Sequence, residues 1–125
     1  MRFIALLLVA IVALAHVGFL ILEMFLWDHP VGYDVFKTTP EFAAQSAALA
    51  ANQGLYNGFL AAGLVWGLVS GRRDVKIFFL CCIIVAGIYG GITAKMSILY
   101  IQAAPALAAL LAVLAAPAPR VRHRL

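Results

Sequence analysis

The chain has 125 residues, of which 66% are hydrophobic and 11% charged. A soluble domain of this size cannot bury so much apolar surface, so the composition indicates an integral membrane protein with a single domain. The net charge of +4 does not indicate nucleic-acid binding, because the basic residues lie at the ends of apolar segments, where they act as topology signals.

The first apolar run extends from Phe3 to Trp27. As a helix, its 25 residues are about 37 Å long, enough to cross a hydrocarbon core of about 30 Å. Arg2 and the Ala13–Ala15 segment also resemble the start and cleavage site of a signal peptide. The run continues well beyond a signal core, so we expect a retained transmembrane helix at about residues 3–27.

Three further apolar segments follow and predict helices at about 42–69, 75–93 and 98–116. The segment 28–41 contains Pro30, Gly32 and Pro40 and is expected to be a loop, with at most a short interfacial turn around Tyr33–Phe36. Pro105 is expected to bend the last helix. The fold class is therefore all-α: a four-transmembrane-helix bundle formed by residues 1–116.

The basic residues predict the orientation of this bundle. They are concentrated at the N-terminus, in the turn between the second and third helices, and in the tail 117–125. The opposite side holds only Lys37 and Lys95, together with three acidic residues. By the positive-inside rule both termini and the basic tail are cytoplasmic, and the 28–41 loop is outside. The lipid bilayer is the expected partner, and nucleic acid is not.

Small residues recur every four positions in the second and third helices. Gly54 and Gly58, Gly63 and Gly67, and Gly87 and Gly91 form such pairs. This spacing lets two helices approach closely within a membrane. The contacts could be made within one chain or between two copies in a homo-oligomer.

Glu23 is the most informative single residue, because it lies inside an apolar run. A carboxylate in such a position costs about 2.5–3.5 kcal/mol on insertion scales, so it usually faces a partner or a water-filled cavity. His16 and Trp27 lie seven residues before and four after it, on the same helical face.

Other polar residues are predicted at the same depth, in the outer half of the bundle. They are Asn52, Gln53, Tyr56 and Asn57 on the second predicted helix, and Gln102 on the fourth. They could line a polar pocket, or they could only form hydrogen bonds between helices. Glu23 could likewise pair with Lys95 rather than serve a ligand.

Three motifs carry a family resemblance: Leu22–Trp27, Asn52–Leu64, and Gln102 followed by Pro105-Ala106. They resemble the domain-of-unknown-function 1304 family, small bacterial four-helix membrane proteins. The resemblance implies four spans in the bacterial plasma membrane. It also places His16, Glu23, Asn52, Gln53, Tyr56 and Asn57 in the family's recurring polar set. It implies no reaction.

Two functions suit this polar set, and a structural role is the third possibility. In the first, the pocket binds a lipophilic small molecule and catalyses proton transfer of the isomerase or epimerase type. Glu23 and His16 would be catalytic, and the ligand-binding residues would be Trp27, Asn52, Gln53, Tyr56, Asn57 and Gln102. No metal or nucleotide motif is present, so no cofactor or metal is predicted.

The second function is proton-coupled transport. The outline of four helices with one glutamate in the first resembles the small multidrug resistance family, although the motifs around that glutamate are not found here. In the third possibility the chain is an assembly subunit whose polar cluster only holds the helices together.

Overall fold

The structure is a computed structural model that describes residues 1–118; most of the predicted basic tail lies outside the described residues. Residues 1–118 are all-α, without strands. The helices are α1 (Arg2–Met24), α2 (Pro30–Phe36), α3 (Pro40–Val69), α4 (Arg73–Thr93) and α5 (Met96–Ala115).

Three of these helices, α1, α4 and α5, are long and apolar enough to cross a membrane. The sequence predicts four spans, and α3 is the predicted span that does not meet the hydropathy expected of a membrane-crossing helix. Its 30 residues make a helix of about 45 Å, which is ample in length. Polar residues in its first half, from Glu41 to Gln53, lower its mean hydropathy below that of the other three.

The expected loop 28–41 contains the seven-residue helix α2. Pro30 occupies its first turn, and the His29 side chain accepts a hydrogen bond from the Val31 backbone N–H at 3.2 Å. The next helix, α3, begins in the same way, with Pro40 in its first turn and Thr39 as the capping residue. Both prolines therefore start helices rather than break them, because a first-turn residue needs no N–H partner.

Helix α1 ends at Met24, three residues before the predicted end. The N–H groups of Phe25 and Leu26 both donate to the Ile21 carbonyl, at 3.0 and 3.2 Å. Such sharing of one carbonyl is common at helix termini. Trp27 therefore lies beyond the helix, in the turn that leads to α2.

Helix α5 contains a wider π-helical segment at Leu99–Ala103. The Ala104 N–H donates to the carbonyl of Leu99, five residues earlier. Pro105, which has no N–H to continue the regular pattern, follows directly. The sequence predicts a bend at Pro105, and the structure has a widened turn on the N-terminal side of this residue.

The four long helices pack so that α1 contacts α3 and α5, and α4 contacts the same two. Their shared core is formed mainly by aliphatic residues, among them Val9, Leu64, Leu80, Ile83, Ala106 and Ala109. The start of α1, the α3–α4 turn and the end of α5 lie together at one end. Helix α2 follows the C-terminal end of α1, and the α4–α5 turn follows the C-terminal end of α4. Both segments therefore belong to the opposite end of the bundle.

The paired glycines make close contacts within the chain. Gly54 and Gly58 face α1, Gly63 and Gly67 face α4, and Gly87 and Gly91 face α5. At Gly87 an added Cβ would lie 2.7 Å from the Ala103 backbone nitrogen, in the π-helical segment. These faces are therefore occupied by the chain's own helices.

Candidate functional site: two buried polar pairs along α1

Glu23 on α1 meets Asn57 on α3 in the interior. Both residues are buried, with 6% and 8% of their surfaces exposed. The Asn57 side-chain amide donates a hydrogen bond to Glu23 Oε1 at 2.9 Å. The sequence predicts only that these two residues lie at the same depth in the bundle. The structure shows that they are in direct contact.

The close approach of α1 and α3 at this point depends on Gly54. A Cβ added there would lie 2.7 Å from Met24 Cγ and 3.0 Å from Glu23 Cβ. A Cβ contact of 2.7 Å is shorter than real Cβ atoms make, so a larger residue would force the Met24 side chain or the helices to shift. The glycine one turn before Asn57 therefore brings the amide within reach of the carboxyl group.

The second carboxyl oxygen of Glu23, Oε2, is buried and has no hydrogen-bond partner within residues 1–118. A buried ionised carboxylate with an unpaired oxygen is costly. The neutral acid costs less to bury, and its O–H is a hydrogen-bond donor. Oε2 is thus a fully buried atom of this pair that remains available to a further group.

His16 forms the second buried pair, with Gln102 on α5. His16 is 1% exposed, and its Nδ1 lies 2.8 Å from the Val12 carbonyl oxygen. A carbonyl only accepts, so Nδ1 carries a proton. In the neutral ring Nε2 is then an acceptor, and the Gln102 amide donates to it at 3.3 Å.

Gln102 owes its position to the π-helical segment of α5. The segment packs on α4 at Gly87 and Gly91, where glycine leaves room for the backbone of Leu99 and Ala103. The extra residue in this turn changes the direction in which the side chains before Pro105 point. Segments of this kind are frequent at functional sites.

The two polar pairs are separate. Glu23 and His16 are seven residues apart on the same face of α1, which is about 10 Å along the helix axis. Within the described chain no hydrogen bond joins one pair to the other. Direct proton transfer from His16 to Glu23 is therefore not supported by these contacts.

The other predicted site residues lie outside these pairs. Trp27 donates its indole N–H to Ser46 Oγ at 3.0 Å and packs its ring on Phe36. Asn52, Gln53 and Tyr56 are exposed on the outward side of α3. The Tyr56 ring contacts Phe59 on that same side.

Lys95 does not pair with Glu23. The ion pairs between residues 1 and 118 are Lys37–Asp34 and Arg72–Asp74, both near the helix ends. The hydrogen-bond partner of Glu23 is Asn57 instead of Lys95. Because the amide carries no charge, it binds the carboxyl group without neutralising it.

Ser46 makes a contact that the sequence pattern does not predict. Its hydroxyl accepts from Trp27 and donates to the Phe42 carbonyl at 2.6 Å. The bond fixes the turn after α1 against the first part of α3. Its only signal in the sequence is a small polar residue within a run of alanines.

Two cavities lie away from both pairs. One, of about 110 Å³, lies at the end of the molecule where α1 begins. The other is an open apolar groove on α4, beside Phe78, Cys81 and Val85. The described residues contain no group of three or more side chains arranged to hold a metal ion.

Comparison with known proteins places the chain in a family. Residues 10–114 match the family model described as "Protein of unknown function (DUF1304)". No curated protein and no solved structure matches the chain. The matched region contains both polar pairs and most of the four long helices. Because the match covers most of the sequence, the chain belongs to the DUF1304 family.

Proposed function

We propose that the chain is a four-span protein of the bacterial plasma membrane, with both termini in the cytoplasm. Helices α1, α4 and α5 have the length and hydropathy of spans, and α3 is long enough and packs against α1 and α4. Arg2, Arg72 and Arg73 lie at the end where α1 begins, which supports a cytoplasmic location for that end. On this proposal the four helices form a four-helix bundle in the membrane.

Within this bundle, Glu23 and Asn57 bind a polar group of a lipophilic small molecule. The observation that carries this proposal is the buried Oε2 atom of Glu23, which has no partner within residues 1–118. A protonated Oε2 would donate a hydrogen bond to a carbonyl or hydroxyl oxygen of the ligand. Asn57 would keep the carboxyl group oriented through Oε1.

The chemistry that suits this pair is cofactor-free proton transfer, as in an isomerisation or epimerisation. Glu23 would give its proton to one atom of the ligand and recover a proton from another, so no net proton is consumed. The Asn57 N–H would stabilise the carboxylate formed between these two steps.

The His16–Gln102 pair would provide a second polar contact. It lies about two turns along α1 from Glu23. A ligand lying along α1 would thus meet polar groups near both of its ends. Asn52, Gln53 and Tyr56, on the outward side of α3, would contact the ligand only before it enters between the helices. Trp27, held by Ser46, would lie beside the entry to Glu23.

The test compares wild-type protein with Glu23→Gln and with Asp34→Asn as a matched control. Both changes replace a carboxyl group by an amide, but Asp34 is exposed and salt-bridged to Lys37. The amide oxygen introduced by Glu23→Gln could still accept from Asn57, so stability should change by less than about 1 kcal/mol. Each protein is purified in the same detergent, and co-purified lipophilic compounds are identified by mass spectrometry.

We expect a compound that is enriched on the wild type and on the Asp34 variant, and lost from Glu23→Gln. If the Glu23 variant retains the same compounds as wild type and is also less stable, the carboxyl group serves only helix packing. That result would favour the role of an assembly subunit.

A further inference from the structure

The end of the molecule opposite to Glu23 contains three basic residues around one cavity. Arg2 at the start of α1, and Arg73 and Lys76 in the first turns of α4, line a space of about 110 Å³. A single water needs about 10–15 Å³ on such a measure, so the cavity has room for a tetrahedral oxyanion.

Lys76 is the least expected member of this group, because only 9% of its surface is exposed. Its stem lies against Gly67 of α3, where an added Cβ would be 2.6 Å from Lys76 Cγ. Within residues 1–118 it forms neither an ion pair nor a side-chain hydrogen bond. Its stem is buried, but its ammonium nitrogen is not fully enclosed, so this unpaired cation at the cavity remains available to an anion that residues 1–118 do not supply.

Arg73 is held in place by the end of α5. Its Nε and Nη2 atoms donate to the Val113 carbonyl at 3.4 Å, and Nη2 also donates to the Leu114 carbonyl at 3.0 Å. These bonds use one edge of the guanidinium group and leave Nη1 outside them. Arginine is suited to binding a phosphate group through several N–H donors while its plane is fixed by other bonds.

No acidic residue lines the cavity within the described part of the chain. The nearest carboxylate along the chain, Asp74, is exposed and forms a 2.6 Å ion pair with Arg72. The cavity lining therefore has three cationic side chains and no anionic one among residues 1–118. The N-terminal ends of α1 and α4, which carry partial positive charge, lie beside it.

We propose that Arg2, Arg73 and Lys76 bind one phosphate group in this cavity. The group could be the headgroup phosphate of an anionic lipid or a free phosphate ion, which share the same chemistry. The site lies at the end of the helices where lipid headgroups would be found, and it is independent of the Glu23 pair.

The test uses full-length protein in a non-ionic maltoside detergent that contains no phosphate. One series adds inorganic phosphate, and a second adds phosphatidylglycerol in mixed micelles; sodium chloride at equal ionic strength is the reference. Thermal stability gives the binding curve, and native mass spectrometry counts bound lipid. The variants are Lys76→Gln and Arg2→Gln. The control is Arg72→Gln, which removes the same charge from a neighbouring residue that does not line the cavity.

We expect at least one of the two ligands to stabilise wild type and Arg72→Gln at equal concentration. Binding by Lys76→Gln and Arg2→Gln should be about tenfold weaker, as expected for the loss of one hydrogen bond to a charged group, and Lys76→Arg should restore it. Stabilisation by phosphatidylglycerol alone identifies a lipid headgroup site, and stabilisation by inorganic phosphate as well identifies a free oxyanion site.

The proposal is overturned if neither ligand binds, or if Arg72→Gln loses as much affinity as the cavity variants. Arg2→Gln keeps the test decisive should Lys76→Gln fail to fold, because Arg2 is exposed at the first helical position and its loss should not disturb packing.

Discussion

Residues with very similar sequence signals have different surroundings in this protein. Asn52 and Asn57 lie in the same polar motif. Asn57 is buried and donates a hydrogen bond to Glu23, whereas Asn52 is exposed. The sequence could predict that Glu23 and His16 are functional candidates, because polar residues are rare inside an apolar run. It could not identify their partners, since these depend on how α3 and α5 are rotated about their own axes.

The two asparagines provide a matched pair of substitutions. Asn57→Ala removes the only donor to Glu23 Oε1 within the described chain and leaves a small void, so unfolding free energy should fall by about 1–3 kcal/mol. Asn52→Ala, at an exposed position, should change it by no more than about 0.5 kcal/mol. Thermal or denaturant unfolding in one detergent measures both. Equal losses in the two variants would mean that the Glu23–Asn57 bond does not contribute to stability.

At the scale of the helices, the sequence predicts where each apolar segment lies but not its irregular parts. Pro30 and Pro40 resemble helix breakers in the sequence, whereas each starts a helix, because its missing N–H has no cost in the first turn. Pro105 predicts a bend in α5. The π-helical turn before it depends on the packing of Leu99 and Ala103 against glycines of α4, a tertiary contact that local sequence does not show.

Gly54 tests whether the contact between α1 and α3 needs a residue without a side chain. Gly54→Ala should push Met24 and Glu23 away and destabilise the protein by about 1–3 kcal/mol. Gly18→Ala is the control, since no atom of a neighbouring helix lies within 4 Å of its added Cβ. It should be neutral or stabilising, because alanine favours a helix by about 1 kcal/mol over glycine. The two variants are compared by thermal unfolding; a Gly54 variant as stable as the Gly18 variant would contradict the close approach.

At the scale of the whole molecule, the predicted number of spans differs from the observed number because of α3. The sequence predicts four spans, while length and hydropathy support three, because the first half of α3 is polar. Helix α3 packs against α1 and α4, while Asn52, Gln53 and Tyr56 are exposed on its outward side. The proposal that α3 is a fourth span therefore rests on its length and on these contacts, and not on its hydropathy.

Cysteine labelling tests the orientation of the chain. Asp34→Cys and Ser70→Cys place single thiols at exposed positions near opposite ends of the molecule, after replacement of Cys81 and Cys82. A membrane-impermeant maleimide added to intact cells should label position 34 and not position 70 if, as we propose, the basic end is cytoplasmic. Labelling of position 70 alone would reverse the orientation, and labelling of both would mean that α3 does not span.

We propose that Glu23 holds a proton inside the membrane and that this proton is available to a ligand through Oε2. Infrared spectroscopy measures this directly, since a protonated carboxyl group has a C=O stretching band distinct from that of a carboxylate. The measurement uses protein in an ester-free maltoside detergent at neutral pH. We predict a protonated-carboxyl band in wild type and Asp34→Asn that is absent from Glu23→Gln. The absence of that band from the wild type, or its persistence in Glu23→Gln, would contradict the claim.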